Sequence, residues 1–362
     1  MDSNKRIRLL VDLARLALTI LVSCGLVVLI VLGTSKDPMT AFSSFFIGPF
    51  TSLRRIGNIV EAASPLMFTA LAVIMIFGAG QFSMITEGAF FIGTLGAMMI
   101  ATSVPLPAGI HPAAALLVAG AMGAVVALIP AMLKMKWQVS EVVTSLMLNY
   151  IVQFFAIYMV SYYFREISSS SLASISFLET SMLPVIVNGS RVHFGVVIAI
   201  ILCVVTYLLL YRTTFGMKLR ITGDNAKFAN YSGIKVTKVM VVAQVIAGAL
   251  AGIGGGAELL GMYTRFKWTS TPGYGWTGIA VALLARNNPL MVPIAALFMG
   301  YLNVGANIMA RNSDVSSEVV VIIQGVMILM IAAEALLNSW RQKMIVKAAK
   351  AETVVKGDEA NA

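Results

Sequence analysis

The chain has 362 residues, of which 59% are hydrophobic and 12% are charged, whereas soluble domains carry about a quarter charged residues. Long apolar runs such as 116–133 and 319–337 do not alternate between apolar and polar residues, which excludes a transmembrane β-barrel and predicts an all-α, polytopic membrane protein. The net charge of +10 does not indicate a nucleic-acid partner, because basic residues of membrane proteins concentrate in cytoplasmic loops; the expected partner is the lipid bilayer.

About ten apolar segments are long enough, or nearly long enough, to cross a bilayer. They are 13–33, 57–80, 85–103, 112–133, 140–163, 193–211, 239–260, 273–285, 290–310 and 318–338. We predict that both termini are cytoplasmic, because this orientation places Lys134, Lys136 and the loop 212–237 inside. We assign 1–346 to a transmembrane domain and 347–362 to a polar cytoplasmic tail.

Two segments test this count of spans. Residues 38–55 contain Arg54 and Arg55, and we predict an amphipathic helix on the outer face. Residues 273–285 are short for a crossing, and we predict a short or broken helix that nevertheless crosses. The Ser-rich stretch 164–192 is predicted to be an external loop.

The loop 212–237 is the longest basic segment between apolar runs. Its sequence Gly223-Asp224-Asn225 offers a capping oxygen just before 226–232, and Gly233 is a natural residue to end that helix. Phe228 and Tyr231 would share one face of this short helix. Exposed aromatic residues there indicate docking into a partner's groove, although a loop packed on its own bundle is an alternative.

Polar residues within the apolar runs are candidates for the translocation path. Asn149 offers a donor and an acceptor to a substrate, or else bonds a neighbouring helix. Glu141 lies on the same helical face, eight residues earlier. Acids inside membranes are functional candidates by default. However, three of them fall near predicted span ends, where solvated roles are expected: Glu87, Glu258 and Glu334.

Aromatic residues and glycines cluster in the last third of the chain. An interfacial aromatic belt accounts for most of five rings, and Trp276 is also a candidate to stack on a nucleobase. The five are Tyr263, Phe266, Trp268, Tyr274 and Trp276. Gly248, Gly252 and Gly256 recur every four residues, a spacing that favours close helix packing. The histidines stand alone, so no metal site is expected.

Several stretches together resemble one family of membrane proteins. The loop contains Gly216-x-x-x-Arg220-x-x-Gly223-x-Asn225-x-x-x-Ala229-x-x-x-Gly233-Ile234. Further stretches are 63–67 (ASPLM) leading into 82–88, 141–150 (EVVTSLMLNY) and 273–289 (GYGWTGIAVALLARNNP). These resemble the branched-chain amino acid, ribose and nucleoside permeases of ABC importers, in particular their nucleoside and simple-sugar branch. At 82–89 the chain reads FSMITEGA where that family tends to read FNIGAEGQ, so substrate choice or the division of labour between permeases is expected to differ.

The resemblance implies about ten helices per subunit and two subunits around one path. It implies a cytoplasmic coupling helix that enters a cleft of an ATPase, and it assigns coupling to Arg220, Gly223, Asp224, Asn225, Phe228, Tyr231 and Gly233. It also implies three partners: an ATP-binding subunit, a second and different permease chain, and an extracytoplasmic substrate-binding protein. The chain lacks a Gly-x-x-x-x-Gly-Lys-Ser/Thr loop, so ATP would be bound by the partner and the chain is not expected to be an enzyme or to carry a cofactor.

The resemblance implies a permease subunit of a binding-protein-dependent ABC importer for nucleosides, in the bacterial cytoplasmic membrane. A simple sugar or a riboflavin-like vitamin is the alternative substrate. An ion-coupled secondary transporter is the alternative from another class, and its uptake would survive ATP depletion. Glu87, Asn149 and Trp276 are the candidate residues of the path.

Overall fold

A computed structural model describes residues 37–315 except 169–171 and 188, together with positions 25, 28, 32, 33, 35, 322, 325 and 326. The α-helices of this part are α1 Pro38–Phe42, α2 Leu53–Gly78, α3 Ile85–Ser103, α4 Ile110–Trp137, α5 Glu141–Tyr163, α6 Gly195–Arg212, α7 Thr214–Asp224, α8 Ala226–Tyr231, α9 Val236–Met262, α10 Tyr274–Leu284 and α11 Val292–Asn312. Within it, β-structure is confined to two isolated bridges.

Seven of the described helices are long and apolar enough to cross a membrane, namely α2, α3, α4, α5, α6, α9 and α11. Each of them matches a predicted span, and α3 has the predicted bounds. The predicted segment 273–285 contains α10, whose 11 residues extend about 17 Å, less than the roughly 30 Å of a hydrocarbon core. The predicted spans 13–33 and 318–338 and the tail 347–362 fall almost entirely outside the described residues.

The prediction of one amphipathic helix over 38–55 is wrong. The helix α1 ends at Phe42, a π-helical turn follows over Ser43–Ile47, and a 3-10 turn covers Gly48–Phe50. Pro49 lies in that turn and lacks the N–H that a continuous helix would use, which explains the break. Ser52 then caps α2, its side chain accepting the N–H of Arg55, so α2 begins earlier than predicted.

The chain divides into two compact units. One comprises Met1–Phe42 and Ala310–Ala362, and within it the Ser35 hydroxyl donates to the Asp314 carboxylate over 2.5 Å. The other, Ser43–Met309, contains the candidate site. In this unit α9 packs against α2, α3 and α4.

Glycines on α9 make its packing against α3 and α4 close, as their spacing predicted. A Cβ on Gly248 would overlap the Gly123 carbonyl oxygen, and one on Gly252 would overlap the Ala119 carbonyl oxygen. From the other side, a Cβ on Gly93 would overlap the Gly252 carbonyl oxygen. Backbone therefore lies directly on backbone at this seam, a geometry that only glycine allows.

The bundle Ser43–Met309 has two distinguishable ends. At the first, α7 and α8 pack against the end of α2 and the start of α9, and we call this the loop end. At the opposite end lies the predicted loop 164–192. Its amides donate to backbone carbonyls of Ala101, Leu260 and Phe266, which hold it on the bundle.

Candidate functional site

The helix α8 has the caps that the sequence predicts. The Asn225 side chain accepts the N–H of Phe228 over 3.0 Å, which satisfies one of the free donors at a helix start. At the other end Gly233 has φ +78°, and the Ile234 N–H returns to the Ala229 carbonyl over 3.0 Å. This is a glycine-terminated helix end. The helix stops at Tyr231, one residue before the predicted bound.

The aromatic pair on α8 faces away from the protein. Phe228 is 60% exposed and Tyr231 is 92% exposed, whereas Ala229 between them is fully buried. The alternative in which the loop packs its aromatic residues on its own bundle therefore does not describe these two side chains. Large exposed apolar groups mark interaction sites, and docking of this pair stays a prediction.

A second helix, α7, precedes α8 and was not predicted. It begins where the Thr213 hydroxyl accepts the Gly216 N–H over 3.1 Å, and Leu219 and Thr222 are its buried residues on one face. Thr213 as a cap and this i, i+3 pair were the available signals. The α7 helix is seated on the end of α2, because a Cβ on Gly223 would overlap the Gly78 carbonyl oxygen.

Two charged residues of the predicted coupling set lie on α7. The Arg220 guanidinium lies over the Tyr211 ring at 4.9 Å from its centroid, a cation–π contact between α7 and α6. Asp224 is the exposed last residue of α7, and the capping oxygen before α8 comes from Asn225. The set thus divides into residues that shape the loop and aromatic residues that project from it.

One face of α5 holds the irregular segment 81–84 that precedes α3. Glu141, Ser145 and Asn149 recur every four residues and accept three backbone N–H groups. The pairs are Phe82 N–H to Glu141 (2.9 Å), Met84 N–H to Ser145 (3.0 Å) and Gly88 N–H to Asn149 (3.0 Å). We call these three side chains the α5 ladder.

The ladder is closed by further polar contacts. The Asn149 amide donates to the Met84 carbonyl over 2.9 Å, so both ends of this side chain bond the neighbouring segment. Glu141 pairs with Lys134 at 3.1 Å, and Gln244 of α9 donates to the Ser83 hydroxyl over 3.0 Å. The helix-bonding interpretation therefore describes Asn149, and its place in the path stays a prediction.

Glu87 caps the short helix α10 from another helix. Its carboxylate accepts the N–H of Gly273 over 2.7 Å and that of Gly275 over 2.5 Å, and Thr271 also bonds it. A negative charge at a helix N-terminus is favourable because the free N–H groups point at it. A Cβ on Gly275 would lie 2.6 Å from the Glu87 nitrogen, so only glycine lets the two helices meet here.

The expectation that the acids near span ends are solvated is wrong for two of them. Glu87 is 3% exposed and Glu258 is 4% exposed. Glu87 is enclosed by the start of α10, and α9 continues to Met262, beyond the predicted bound near Glu258. Glu334 lies outside the described residues.

The five rings predicted to form an interfacial belt differ in burial, and the belt itself stays a prediction. Phe266 is fully buried and contacts the Phe91 ring edge-on at 5.8 Å, while Trp268 stacks on Phe90 at 6.2 Å. These rings lie against α3, whose apolar face they cover. Trp276 differs in being 49% exposed, and its stacking on a base stays a prediction.

Residues 55–332 match the family model described as the branched-chain amino acid transport system / permease component. The chain belongs to this family. It is 32% identical to the guanosine ABC transporter permease protein NupP of Bacillus subtilis over 88% of this chain and 92% of that protein. It is 30% identical to the glucose ABC transporter permease protein TsgB13 of Haloferax volcanii (90% and 88% covered) and 28% identical to the nucleoside ABC transporter permease protein NupB of Lactococcus lactis (99% and 100%). No solved structure matched the chain.

Proposed function

We propose that this chain is the permease subunit of a binding-protein-dependent ABC importer and that it carries nucleosides across a bacterial cytoplasmic membrane. The observation that supports this most is the capped helix α8, which presents two exposed aromatic side chains at the loop end while α7 seats it on the bundle. A transport permease that is driven by an ATPase on another chain needs an exposed element to which that chain can bind.

In this proposal the loop 212–237 and both termini are cytoplasmic, and Phe228 and Tyr231 dock in a cleft of an ATP-binding subunit. Asn225 and Gly233 cap the docking helix, whereas Gly223, Arg220 and Asp224 belong to α7, which carries it. ATP is bound and hydrolysed by that partner. A second, different permease chain completes the path, and an extracytoplasmic binding protein delivers the substrate.

A continuous series of contacts is available to carry motion from the loop into the bundle. Movement of α8 pulls on α7, which touches the end of α2 at Gly78. The next residues form the segment 81–84, which the α5 ladder holds. The chain then enters α3, where Glu87 is bonded to the start of α10. A tilt of α7 would thus be transmitted to the segment 81–84 and to α10.

Nucleosides are proposed as the substrate because two relatives, NupP and NupB, are named for guanosine and nucleoside transport. A simple sugar is the second candidate, supported by the glucose permease TsgB13 at nearly the same identity. A riboflavin-like vitamin is the remaining alternative.

Uptake into membrane vesicles of controlled orientation tests this proposal. The chain is reconstituted with its ATP-binding subunit, second permease and binding protein, and uptake of labelled guanosine, glucose and riboflavin is compared. We expect guanosine uptake that requires ATP and survives collapse of the membrane potential. Uptake that persists without ATP and stops with the potential would instead identify an ion-coupled transporter.

The sidedness of the loop is tested separately. Cys24 and Cys203 are replaced by serine, and the exposed Lys227 is changed to cysteine. An impermeant maleimide added to intact cells should leave this cysteine unlabelled, and it should label the residue in inside-out vesicles. Labelling in intact cells would place the loop outside and remove the basis of the proposal.

A further inference from the structure

Four oxygen-bearing side chains meet between α2, α9 and α10, away from the loop end. They are Glu61, Glu258, Tyr263 and Tyr274, which we call the acid–tyrosine cluster. The Tyr274 hydroxyl donates to the Glu258 carboxyl over 3.4 Å. Glu61 lies close enough to Glu258 for the two carboxyl groups to interact electrostatically.

The hydroxyl of Tyr263, the residue that follows α9, completes the cluster. Burial raises the pKa of Tyr263, and the neighbouring Glu258 carboxyl raises it further, so this hydroxyl keeps its proton. Trp268 bonds it from the buried aromatic group. The cluster therefore combines two carboxyl groups with two protonated hydroxyls.

Two acceptors of this cluster have no partner among the described residues. The Oε2 atom of Glu258 and the Oε2 atom of Glu61 are both buried and unbonded there. A buried polar atom without a hydrogen bond costs about 1–3 kcal/mol, so such atoms in folded proteins call for an explanation. Acids within membrane segments are also expensive to keep, which makes a functional role the default interpretation.

The four side chains of the cluster are buried to different extents. Glu258 is deeply buried, whereas Glu61, Tyr263 and Tyr274 are only half-buried. Arg54 of α2 and Arg191 of the loop 164–192 both interact electrostatically with Glu61. Two residues after Tyr274, the ring of Trp276 is half exposed. Residues two apart on a helix lie on different faces, so this ring is not part of the cluster.

We propose that the free carboxyl oxygens of Glu258 and Glu61 bind the 2′,3′-diol of a nucleoside in the assembled transporter, with Tyr274 positioning Glu258. This inference rests on the proposed function. An unbonded carboxyl oxygen can accept a hydrogen bond, and a vicinal diol supplies two adjacent O–H donors. Simple sugars also carry vicinal diols, although those of glucose are trans where the 2′,3′-diol is cis.

A cycle between protein and substrate changes tests the contact. The KM for uptake is measured with guanosine and with 2′,3′-dideoxyguanosine, in the wild type and in Glu258→Leu, using the complete reconstituted transporter. We expect the dideoxy compound to have a KM roughly tenfold higher in the wild type, the size of one good hydrogen bond. In Glu258→Leu this ratio should be several-fold smaller than in the wild type, because the diol has lost one acceptor while Glu61 and the binding protein are unchanged.

A merely structural defect would raise both KM values together and leave their ratio at the wild-type value, which would overturn the inference. The control is Glu179→Leu, an exposed acid on the external connection, which should keep the wild-type ratio. If Glu258→Leu does not assemble, Tyr274→Phe is measured and should lower the ratio in the same direction; an unchanged ratio there also overturns the inference.

Two further outcomes separate this inference from the proposed function. Uptake that requires sodium in the wild type, with the requirement lost in Glu258→Leu, would assign the cluster to a cation and overturn the diol contact while transport itself stands. A wild-type transporter that takes up neither nucleosides nor sugars with ATP would instead remove the proposed function, and this inference with it.

Discussion

The carboxylate of Glu87 joins α3 to the start of α10 inside the bundle. It accepts N–H groups from Gly273 and Gly275, about 186 positions along the chain from it. The sequence identified Glu87 as notable, but nothing local could indicate its partners, because the contact depends on how α10 packs. The Asn225 cap and the Gly233 end were predictable, since the bonds of both lie within a few residues.

We predict that Glu87→Gln destabilises the protein by about 1–3 kcal/mol, because the amide NH₂ would face an N–H donor and leave it without an acceptor. The melting midpoint of the purified protein in detergent should fall, and guanosine uptake should decrease. The control is Glu179→Gln, which makes the same substitution at an exposed acid. Equal midpoints for the two variants would show that the carboxylate does not hold α10.

His193 gives the protein a pH dependence of its own. Burial lowers its pKa from 6.5 to about 4, and its Nδ1 accepts the Gly195 N–H over 3.1 Å, so the folded form is neutral. Between these two pKa values the unfolded chain binds the additional proton. The stability that the neutral His193 contributes is therefore fully present above about pH 6.5 and is lost as the pH falls towards 4.

The measurement is the melting midpoint at pH 7.5 and pH 5 for the wild type and for His193→Gln, which cannot take up a proton. The wild type should lose more stability on acidification than the variant, because the other acids titrate in both. An equal loss in the two proteins would contradict the assigned neutral histidine.

Among the elements, the spans followed from apolar runs, and their bounds agree with the sequence to within a few residues at most ends. The helix α7 was not predicted, because only three of its eleven residues are buried: Gly216, Leu219 and Thr222. The break over 38–50 was missed for the opposite reason. Its apolar residues suit a helix, and Pro49 interrupts it only near the end. Apolar content predicts which segments enter the bilayer, whereas docking of short helices depends on surfaces from distant parts of the chain.

At the same scale we predict that Gly223→Ala separates α7 from α2. The added methyl group would overlap the Gly78 carbonyl oxygen, and since both are backbone positions the helix must shift; overpacking of this kind costs about 1–3 kcal/mol. The transporter should still assemble, while stimulation of ATP hydrolysis by the loaded binding protein decreases. Lys218→Ala, on the exposed side of α7, is the control and should retain stimulation. Normal stimulation in Gly223→Ala would exclude this contact as a coupling element.

For the whole transporter, the exposed aromatic pair of α8 determines which partner the chain accepts. We predict that Phe228→Asp lowers the affinity for the ATP-binding subunit by about 30-fold, since aromatic anchors at interfaces contribute around 2 kcal/mol. Co-purification of the two subunits over a dilution series measures this. The matched control is Tyr163→Asp, which changes an exposed aromatic residue at the opposite end of the bundle. Equal recovery of the ATP-binding subunit with both variants would contradict docking at α8.

The glycine seam of α9 limits how this molecule can change shape. Side chains that interdigitate can exchange rotamers and so allow one helix to slide past another, but Gly93 and Gly252 offer no side chains to rearrange. The three helices joined there consequently behave as a single stiff block. Bending must be concentrated in short elements such as α10 and in the segment 81–84.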